Sequence, residues 1–194
     1  MSGKTSTAMG TSQPPSAYFL DHKEERVERH TLAVLVINEP GVLARVIGLF
    51  SGRGYNIESL TVAAVSEGDE MSRISIVTSG TPMIIEQIKN QLGRLVPVRE
   101  VHDLTLEGRM VERELALVKV LAKSQSHERR ESLRIAEVFK AEVVDTTRDS
   151  FTYSLTGSSD KVSAFIDLMR SLGVTEVVRS GVAAISRGAK AIEV

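Results

Sequence analysis

The sequence predicts an α+β protein built from two consecutive β-α-β-β-α-β units, each with an antiparallel sheet and both helices on one face. Two observations predict this fold. Apolar runs typical of strands alternate with segments in which apolar residues recur at helical spacing. The same order of elements occurs twice, before and after Glu107 and Gly108. A unit with this order is ferredoxin-like.

The first unit opens with a strand and a helix. Residues 31–37 form a continuous β-prone apolar run, which is typical of a central strand buried on both faces. Pro40 and Gly41 end the strand, because proline supplies no amide to a ladder and glycine relaxes the backbone. Apolar residues then recur at helical spacing over residues 42–50. Gly54 suits the position just past a helix end.

A hairpin, a second helix and a last strand complete the first unit. Thr81 and Pro82 predict a helix start, since threonine can cap a helix and proline fits its first turn. Gly93 ends that helix. Three further runs read as strands, the first two joined by a polar turn: residues 57–65, 72–78 and 96–104.

The second unit repeats this order with different residues. One helix follows the polar loop 123–126 and runs to about Lys140, and the other is capped by Ser158 or Ser159 and closed by Gly173. Each unit buries only a small core, so we expect two copies of the chain to pair as a homodimer. Four runs read as strands: residues 114–122, 142–145, 151–156 and 174–178.

We divide the chain into three parts: a disordered N-terminal extension at residues 1–28, a first domain at 29–107 and a second domain at 108–194. The extension is rich in Ser, Thr, Gly and Pro and then becomes charged. Its single early basic residue, Lys4, precedes no apolar run, so we expect no secretory signal. No run approaches the roughly 20 apolar residues of a membrane helix. The absence of cysteine fits a reducing cytoplasm.

The composition argues against catalysis, metal binding and nucleic-acid binding. A net charge of -1 provides no basic field for nucleic acid or an anionic membrane. The third strand lacks the aromatic residues on which RNA-recognition domains stack bases. No histidine lies three or four residues from a second ligand on a helix, and no serine-hydrolase, zinc-protease or phosphate-loop motif is present. We therefore predict no catalytic residue and no metal site.

The start of the first helix is a candidate binding site for a small zwitterion. The amides of Gly41, Val42 and Leu43 are expected to lack intrahelical partners where the helix dipole favours an anion. Asn56 is expected to open the next strand directly beside the first, where its amide can pair with an ammonium or a carboxylate. Asn38 can do the same from the end of the first strand. An α-amino acid presents both charges; an ordinary strand, turn and helix without a ligand fits the same spacing.

This stretch also resembles the ACT domain of the acetolactate synthase (acetohydroxyacid synthase) small subunit. Characteristic of that family is N-x-x-G-x-L-x-R-V-x-x-L-F-x-x-R-G-(Y/F)-N-I-E-S-L, which Asn38 to Leu60 match. The likeness covers residues 30–190 and includes R-E-L-A-L-V-K-V from Arg113 onward. Ala44 stands where members of the family often carry serine.

The resemblance implies a non-catalytic regulatory subunit with an N-terminal ACT domain and a C-terminal ACT-like domain. It implies that valine, leucine or isoleucine binds at the interface of paired ACT domains and feeds back on branched-chain amino acid biosynthesis. The partner is the separate large catalytic subunit, which carries thiamine diphosphate, FAD and Mg²⁺, with no cofactor in this subunit. The family's ligand-binding positions correspond to Asn38, Gly41, Val42 and Leu43 of one subunit and to Asn56 and Ile57 of the other.

Two other functions are compatible with the sequence. An ACT-type sensor of amino acids that regulates a different enzyme or a transcription factor would use the same site, although no helix-turn-helix segment is apparent. A free-standing enzyme such as an acylphosphatase would need a catalytic arginine in the first loop, whereas Arg45 falls within the predicted helix. Residues 109–113 and 186–194 are either docking segments for a partner or solvated charged surface.

Overall fold

The computed structural model describes residues 26–192 and consists of two antiparallel sheets, each with two helices on one face. This arrangement confirms the predicted fold class. Most of the predicted N-terminal extension lies outside the described residues, and the first strand already begins at Glu28. The division of the chain at 107/108 stays a prediction.

The elements follow the predicted order, with one additional strand. The helices are α1 (Val42–Arg53), α2 (Pro82–Leu92), α3 (His127–Phe139) and α4 (Ser159–Arg170). The strands of the first half are β1 (Glu28–Ile37), β2 (Ser59–Ala64), β3 (Met71–Gly80) and β4 (Val98–Asp103). Those of the second half are β5 (Met110–Leu121), β6 (Glu142–Thr146), β7 (Ser150–Gly157), β8 (Val174–Arg179) and β9 (Ala183–Ser186).

The strand order of the first sheet is β2-β3-β1-β4, so β1 is central and β2 lies at an edge. Alternate residues of β1, such as Leu32 and Val34, pack with the buried stripe of α1. A stripe on α2 completes this core, which lies between the sheet and the helices. Burial of each such aliphatic side chain stabilises the fold by about 1.5–3 kcal/mol.

The strand order of the second sheet is β6-β7-β5-β8, which repeats the first topology. Its core contains Tyr153, whose hydroxyl oxygen lies 2.8 Å from Ser132 Oγ in a buried hydrogen bond. Burial raises the pKa of the Tyr153 phenol, and the hydrogen bond with Ser132 opposes part of that rise. Helix α4 is capped by Ser158, whose Oγ accepts from the Lys161 amide. Of the two predicted caps, Ser158 is therefore the correct one.

A two-stranded ribbon that the sequence did not predict covers the first sheet on the face opposite its helices. Strand β9 pairs with the first four residues of β5, Met110 to Arg113. Val182 and Ala184 pack there against Ala33 of β1 and Val77 of β3. One strand of the ribbon precedes the second sheet in the chain and the other follows it, so the two halves of the chain interlock.

Hydrogen bonds attach the ribbon to β2 and β3. The Val182 amide donates to Ser59 Oγ at 2.8 Å, and Thr61 Oγ1 donates to the Val182 carbonyl at 3.2 Å. Arg73 Nη2 donates to the Ala184 carbonyl at 2.7 Å. Burial lowers the pKa of the Arg73 guanidinium. The pairing of β5 with β9 places part of residues 109–113 and 186–194, predicted as either docking segments or solvated charged surface, within the ribbon.

Candidate functional site

Helix α1 begins at a glycine in a left-handed conformation and without a side-chain cap. Gly41 has φ 86° and ψ -4°, and no side chain among residues 26–192 accepts a hydrogen bond from the first turn. The first turn carries no acidic residue. Each of the other α-helices in the described range begins with a serine or threonine whose side chain accepts from the first turn. The start of α1 is therefore the helix end best suited to an external anion.

One amide of this turn is bonded to the preceding loop. The Val42 N–H donates at 3.3 Å to the carbonyl of Glu39, which lies outside the helix, so this amide has no intrahelical partner but is already engaged. The tight turn created by Pro40 and Gly41 brings the Glu39 carbonyl back under the helix. Within residues 26–192, the amides of Gly41 and Leu43 make no hydrogen bond and are available to a ligand.

Asn38 connects the start of α1 to the hairpin between β2 and β3. Its backbone amide donates to the Glu70 carbonyl, and its Nδ2 donates to the Asp69 carbonyl, both at 2.8 Å. Asp69 adopts a left-handed conformation with φ 56° in the short 3-10 turn of this hairpin. With Nδ2 held by Asp69, Oδ1 is the atom of the Asn38 amide suited to a ligand ammonium.

Asn56 lies in the exposed loop before β2, and the expectation that it opens a strand directly beside β1 is wrong. Strand β2 begins at Ser59, and β3 lies between β2 and β1. The register pairs Ile37 with Met71 near Gly41, whereas Val77 pairs with Ser59 near Asn56. Met71 and Val77 are six residues apart on one strand, a separation of about 20 Å. One protomer therefore does not bring Asn56 and Gly41 together.

The apolar candidates divide into one core residue and two partly accessible residues. Val42 is only 6% exposed and packs in the first core, so it offers a ligand little more than its backbone. Leu43 and Ile57 are half-buried at the margin of the same core. Their remaining surface can receive an aliphatic side chain.

An ion pair that sequence reasoning missed borders the turn. Arg45 Nη1 lies 3.0 Å from Glu39 Oε1, and both side chains are substantially exposed. The pair spans six positions across the helix start, so no helical or strand spacing signals it. It joins the loop of the candidate site to the outer face of α1.

Residues 26–192 contain no group of three His, Cys, Asp or Glu side chains arranged to hold a metal ion. In the same range no helix is both long and apolar enough to cross a lipid bilayer.

Two ferredoxin-like domains, the first with an uncapped helix that begins at a left-handed glycine, define a regulatory protein of the ACT-domain class. Comparison with protein families supports this class. The AHAS small subunit-like ACT domain matches residues 32–100, and the family described as the small subunit of acetolactate synthase matches residues 113–188.

Individual relatives cover most of the chain. It is 49% identical to a probable acetolactate synthase small subunit of Archaeoglobus fulgidus, over 84% of this chain and 99% of that protein. It is 46% identical to the acetolactate synthase isozyme 3 small subunit of Escherichia coli, over 84% and 98% of the two chains. The crystal structure of the acetolactate synthase small subunit from Thermotoga maritima matches with a TM-score of 0.74 and 37% identity, covering 83% of this chain and 98% of that one.

The chain belongs to the acetolactate synthase small-subunit family. It is accordingly the regulatory, non-catalytic subunit, and a catalytic large subunit is its partner. The resemblance inferred from Asn38 to Leu60 is confirmed.

Proposed function

We propose that this subunit binds a branched-chain amino acid, valine foremost, where the ACT domains of a homodimer meet, activates the catalytic large subunit and makes it subject to feedback inhibition. One observation carries the proposal. The candidate residues lie at opposite ends of one sheet whose edge strand, β2, pairs only with β3 within residues 26–192. A second copy is needed to bring them together.

Antiparallel pairing of two β2 strands provides the required geometry. If the two-fold axis passes through the middle of β2, Asn56 of the partner subunit lies opposite the hairpin turn Glu67–Asp69. Asn38 is bonded to that same turn through the Asp69 carbonyl. The pairing therefore brings Asn56 from about 20 Å away to the neighbourhood of Gly41. It also covers the unpaired edge of β2.

The site offers a partner for each part of an aliphatic amino acid. The amides of Gly41 and Leu43 suit the carboxylate, and the side-chain oxygens of Asn38 and Asn56 suit the ammonium. The aliphatic side chain packs on Leu43 and on Ile57 of the partner subunit. Burial of an isopropyl group contributes about 1.5–3 kcal/mol. Two or three charge-assisted hydrogen bonds bring the total to the roughly 5 kcal/mol of a sub-millimolar ligand after ordering costs.

The location of the cofactors and the cellular compartment are part of the same proposal. Thiamine diphosphate, FAD and Mg²⁺ belong to the large subunit, and this subunit carries no cofactor. The holoenzyme acts in the cytoplasm. The support for these assignments is the family resemblance, together with a chain that contains no cysteine.

Titration of valine into the purified protein and into its Asn56→Ala variant tests the proposal. We expect saturable binding by calorimetry for the wild type and binding at least roughly tenfold weaker for the variant, since a hydrogen bond to a charged group is lost. Activation of the large subunit should persist, while its inhibition by valine should weaken in parallel with binding.

The control is Asn90→Ala, which removes an exposed asparagine on α2 that bonds only to Glu86 within the described residues. It should bind valine like the wild type. Absence of saturable heat in the wild type, or unchanged inhibition in Asn56→Ala, would contradict the proposed site.

A further inference from the structure

A basic groove lies on the outer face of the first domain, between α1 and the C-terminal end of α2. Its volume is about 530 Å³, and three arginines line it: Arg45, Arg53 and Arg94. No carboxylate is among the lining residues. Two half-buried leucines, Leu49 and Leu95, form its apolar part. We call this surface the arginine groove.

The arginine groove is electrostatically unbalanced. Arg45 pairs with Glu39, but no carboxylate within residues 26–192 lies within ion-pair distance of Arg53 or Arg94. Arg134 and Arg170 on the second domain each pair with a carboxylate one helical turn away, whereas the groove brings two arginines without such a partner among the described residues together in one depression. The groove therefore concentrates positive charge on a protein whose net charge is only -1.

The helix that forms one wall of the groove carries two glycines that the chain itself does not require. Gly48 and Gly52 lie within α1, and a Cβ placed on either would meet no atom within 4 Å. Neither has the positive φ that favours glycine. Alanine would stabilise the helix at both positions. The open space over both positions leaves room for the close approach of a molecule from outside the chain.

The shape of the groove distinguishes between two kinds of anionic ligand. Arg45 and Arg53 are eight residues apart on α1, which corresponds to about 12 Å along the helix axis. This separation is too long for one phosphate or sulfate group to contact both arginines, so a ligand that fills the length of the groove carries carboxylates spaced along a protein segment. Leu49 lies between the two arginines and adds an apolar contact. An amphipathic acidic segment fits both features.

We propose that the arginine groove is the docking site for an acidic amphipathic helix of the catalytic large subunit. Carboxylates of that helix pair with Arg53 and Arg94, its apolar residues contact Leu49 and Leu95, and its backbone approaches α1 over Gly48 and Gly52. The large subunit is the expected partner because it is the chain that this family regulates. Charge complementarity makes the interaction specific, and the two glycines allow the docked helix to pack closely against α1.

The ion pair between Glu39 and Arg45 joins the arginine groove to the proposed amino-acid site, which we call the effector site, and this step rests on the function proposed above. Glu39 belongs to the loop that holds Gly41, and its partner Arg45 lines the groove. A ligand carboxylate bound at the Gly41 amide adds negative charge beside Glu39, which shifts the position of the Glu39 carboxylate and with it that of Arg45. Effector binding thereby changes the charge that the groove presents to the large subunit.

A double charge reversal, Arg53→Glu with Arg94→Glu, tests the docking site in the full-length protein. Association with the purified large subunit should weaken by roughly 100-fold or more, and activation should disappear at concentrations that saturate the wild type. Valine binding by calorimetry should stay unchanged. Added salt should weaken association of the wild type more steeply than that of the double variant.

Two further variants separate the groove from general effects of charge and folding. Arg134→Glu with Arg170→Glu makes the same change of charge on exposed helices of the second domain and should leave association intact. Gly48→Leu should weaken association while it raises the melting temperature, because leucine favours the helix.

Wild-type affinity and activation in the double reversal would overturn the docking site. Saturable binding of inorganic phosphate that depends on Arg53 and Arg94 and is unaffected by the large subunit would also overturn it, in favour of a small-anion site. Loss of valine binding in Asn56→Ala, measured separately, reports only on the effector site, so the two proposals fail independently.

Discussion

At the scale of single residues, two glycines of the first helix region illustrate different physical requirements. Gly41 has a left-handed backbone, so a side chain there is strained whatever space surrounds it. Gly48 has an ordinary helical backbone and open space around it. The sequence predicted the break at Pro40 and Gly41, but not the left-handed conformation, which depends on how the turn returns the Glu39 carbonyl to α1.

Alanine at these two positions should have opposite effects. Gly41→Ala should lower the free energy of unfolding by about 1–2 kcal/mol, because a Cβ is unfavourable at φ 86°. Gly48→Ala should raise it by about 0.5–1 kcal/mol, because alanine favours a helix interior. Urea denaturation of both variants measures the difference. Equal stabilities would mean that the backbone at residue 41 differs from the one described.

At the scale of elements, the local sequence pattern predicted the helices, because helical spacing and capping depend on residues that are close in sequence. The four helices of the described residues lie where the apolar period placed them, and Thr81 and Ser158 cap two of them as predicted, each accepting a hydrogen bond from the first turn. Ser126 caps α3 in the same way. Strand β9 was missed because Ala183–Ser186 is only four residues long and contains two alanines, which have little preference for strands. Its pairing with β5 and the bonds to β2 and β3 define it, and these partners are distant in sequence.

The position of Asn56 was misjudged for a related reason. Chain order suggested that the strand after α1 lies next to β1, but β3 occupies that place. Strand order depends on which edges pair across the whole domain, and no motif near Asn56 records it. The residues of the candidate site were therefore predictable from the family motif, whereas their distribution between two subunits follows only from the register of the sheet.

The close contact at Gly181 makes the ribbon sensitive to a single methyl group. Gly181 has φ 83°, and a Cβ there would lie 2.7 Å from Ser59 Oγ. Gly181→Ala should lower the free energy of unfolding by about 2 kcal/mol or more, and hydrogen exchange at the Val182 amide should accelerate. Gly188→Ala is the matched control, since φ is 87° there but the space is open. If both variants lose the same stability, backbone strain alone explains the effect and the contact with Ser59 is unimportant.

At the scale of the whole molecule, the two domains share a topology but differ in how their outer sheet faces are covered. The ribbon shields the first sheet, whereas on the second sheet Leu115, Leu117 and Leu121 of β5 remain exposed. Each sheet also has two edge strands within the described residues, β2 and β4 in the first and β6 and β8 in the second. The proposed dimer uses the first of these edges.

A lysine at the edge of β2 should separate the two subunits. Val62 is 44% exposed on this strand, and Val62→Lys places a charge where the second β2 would pair. Sedimentation velocity should show a monomer, and valine binding should be lost with the dimer. Val178→Lys on β8 makes the same change at the edge of the second sheet and should remain dimeric. A dimeric Val62→Lys variant that binds valine normally would place the subunit contact elsewhere.

The ribbon has a consequence for how the chain acquires its structure. During synthesis the first four strands leave the ribosome well before Val182 and Ala184. The apolar face of the first sheet that these residues cover is therefore exposed to water until the second half of the chain has been synthesised. The packing of the amino-terminal half is complete only when the carboxy-terminal half is present. Heating or denaturant should then melt both halves in one transition, because neither retains its full interior once the other has opened.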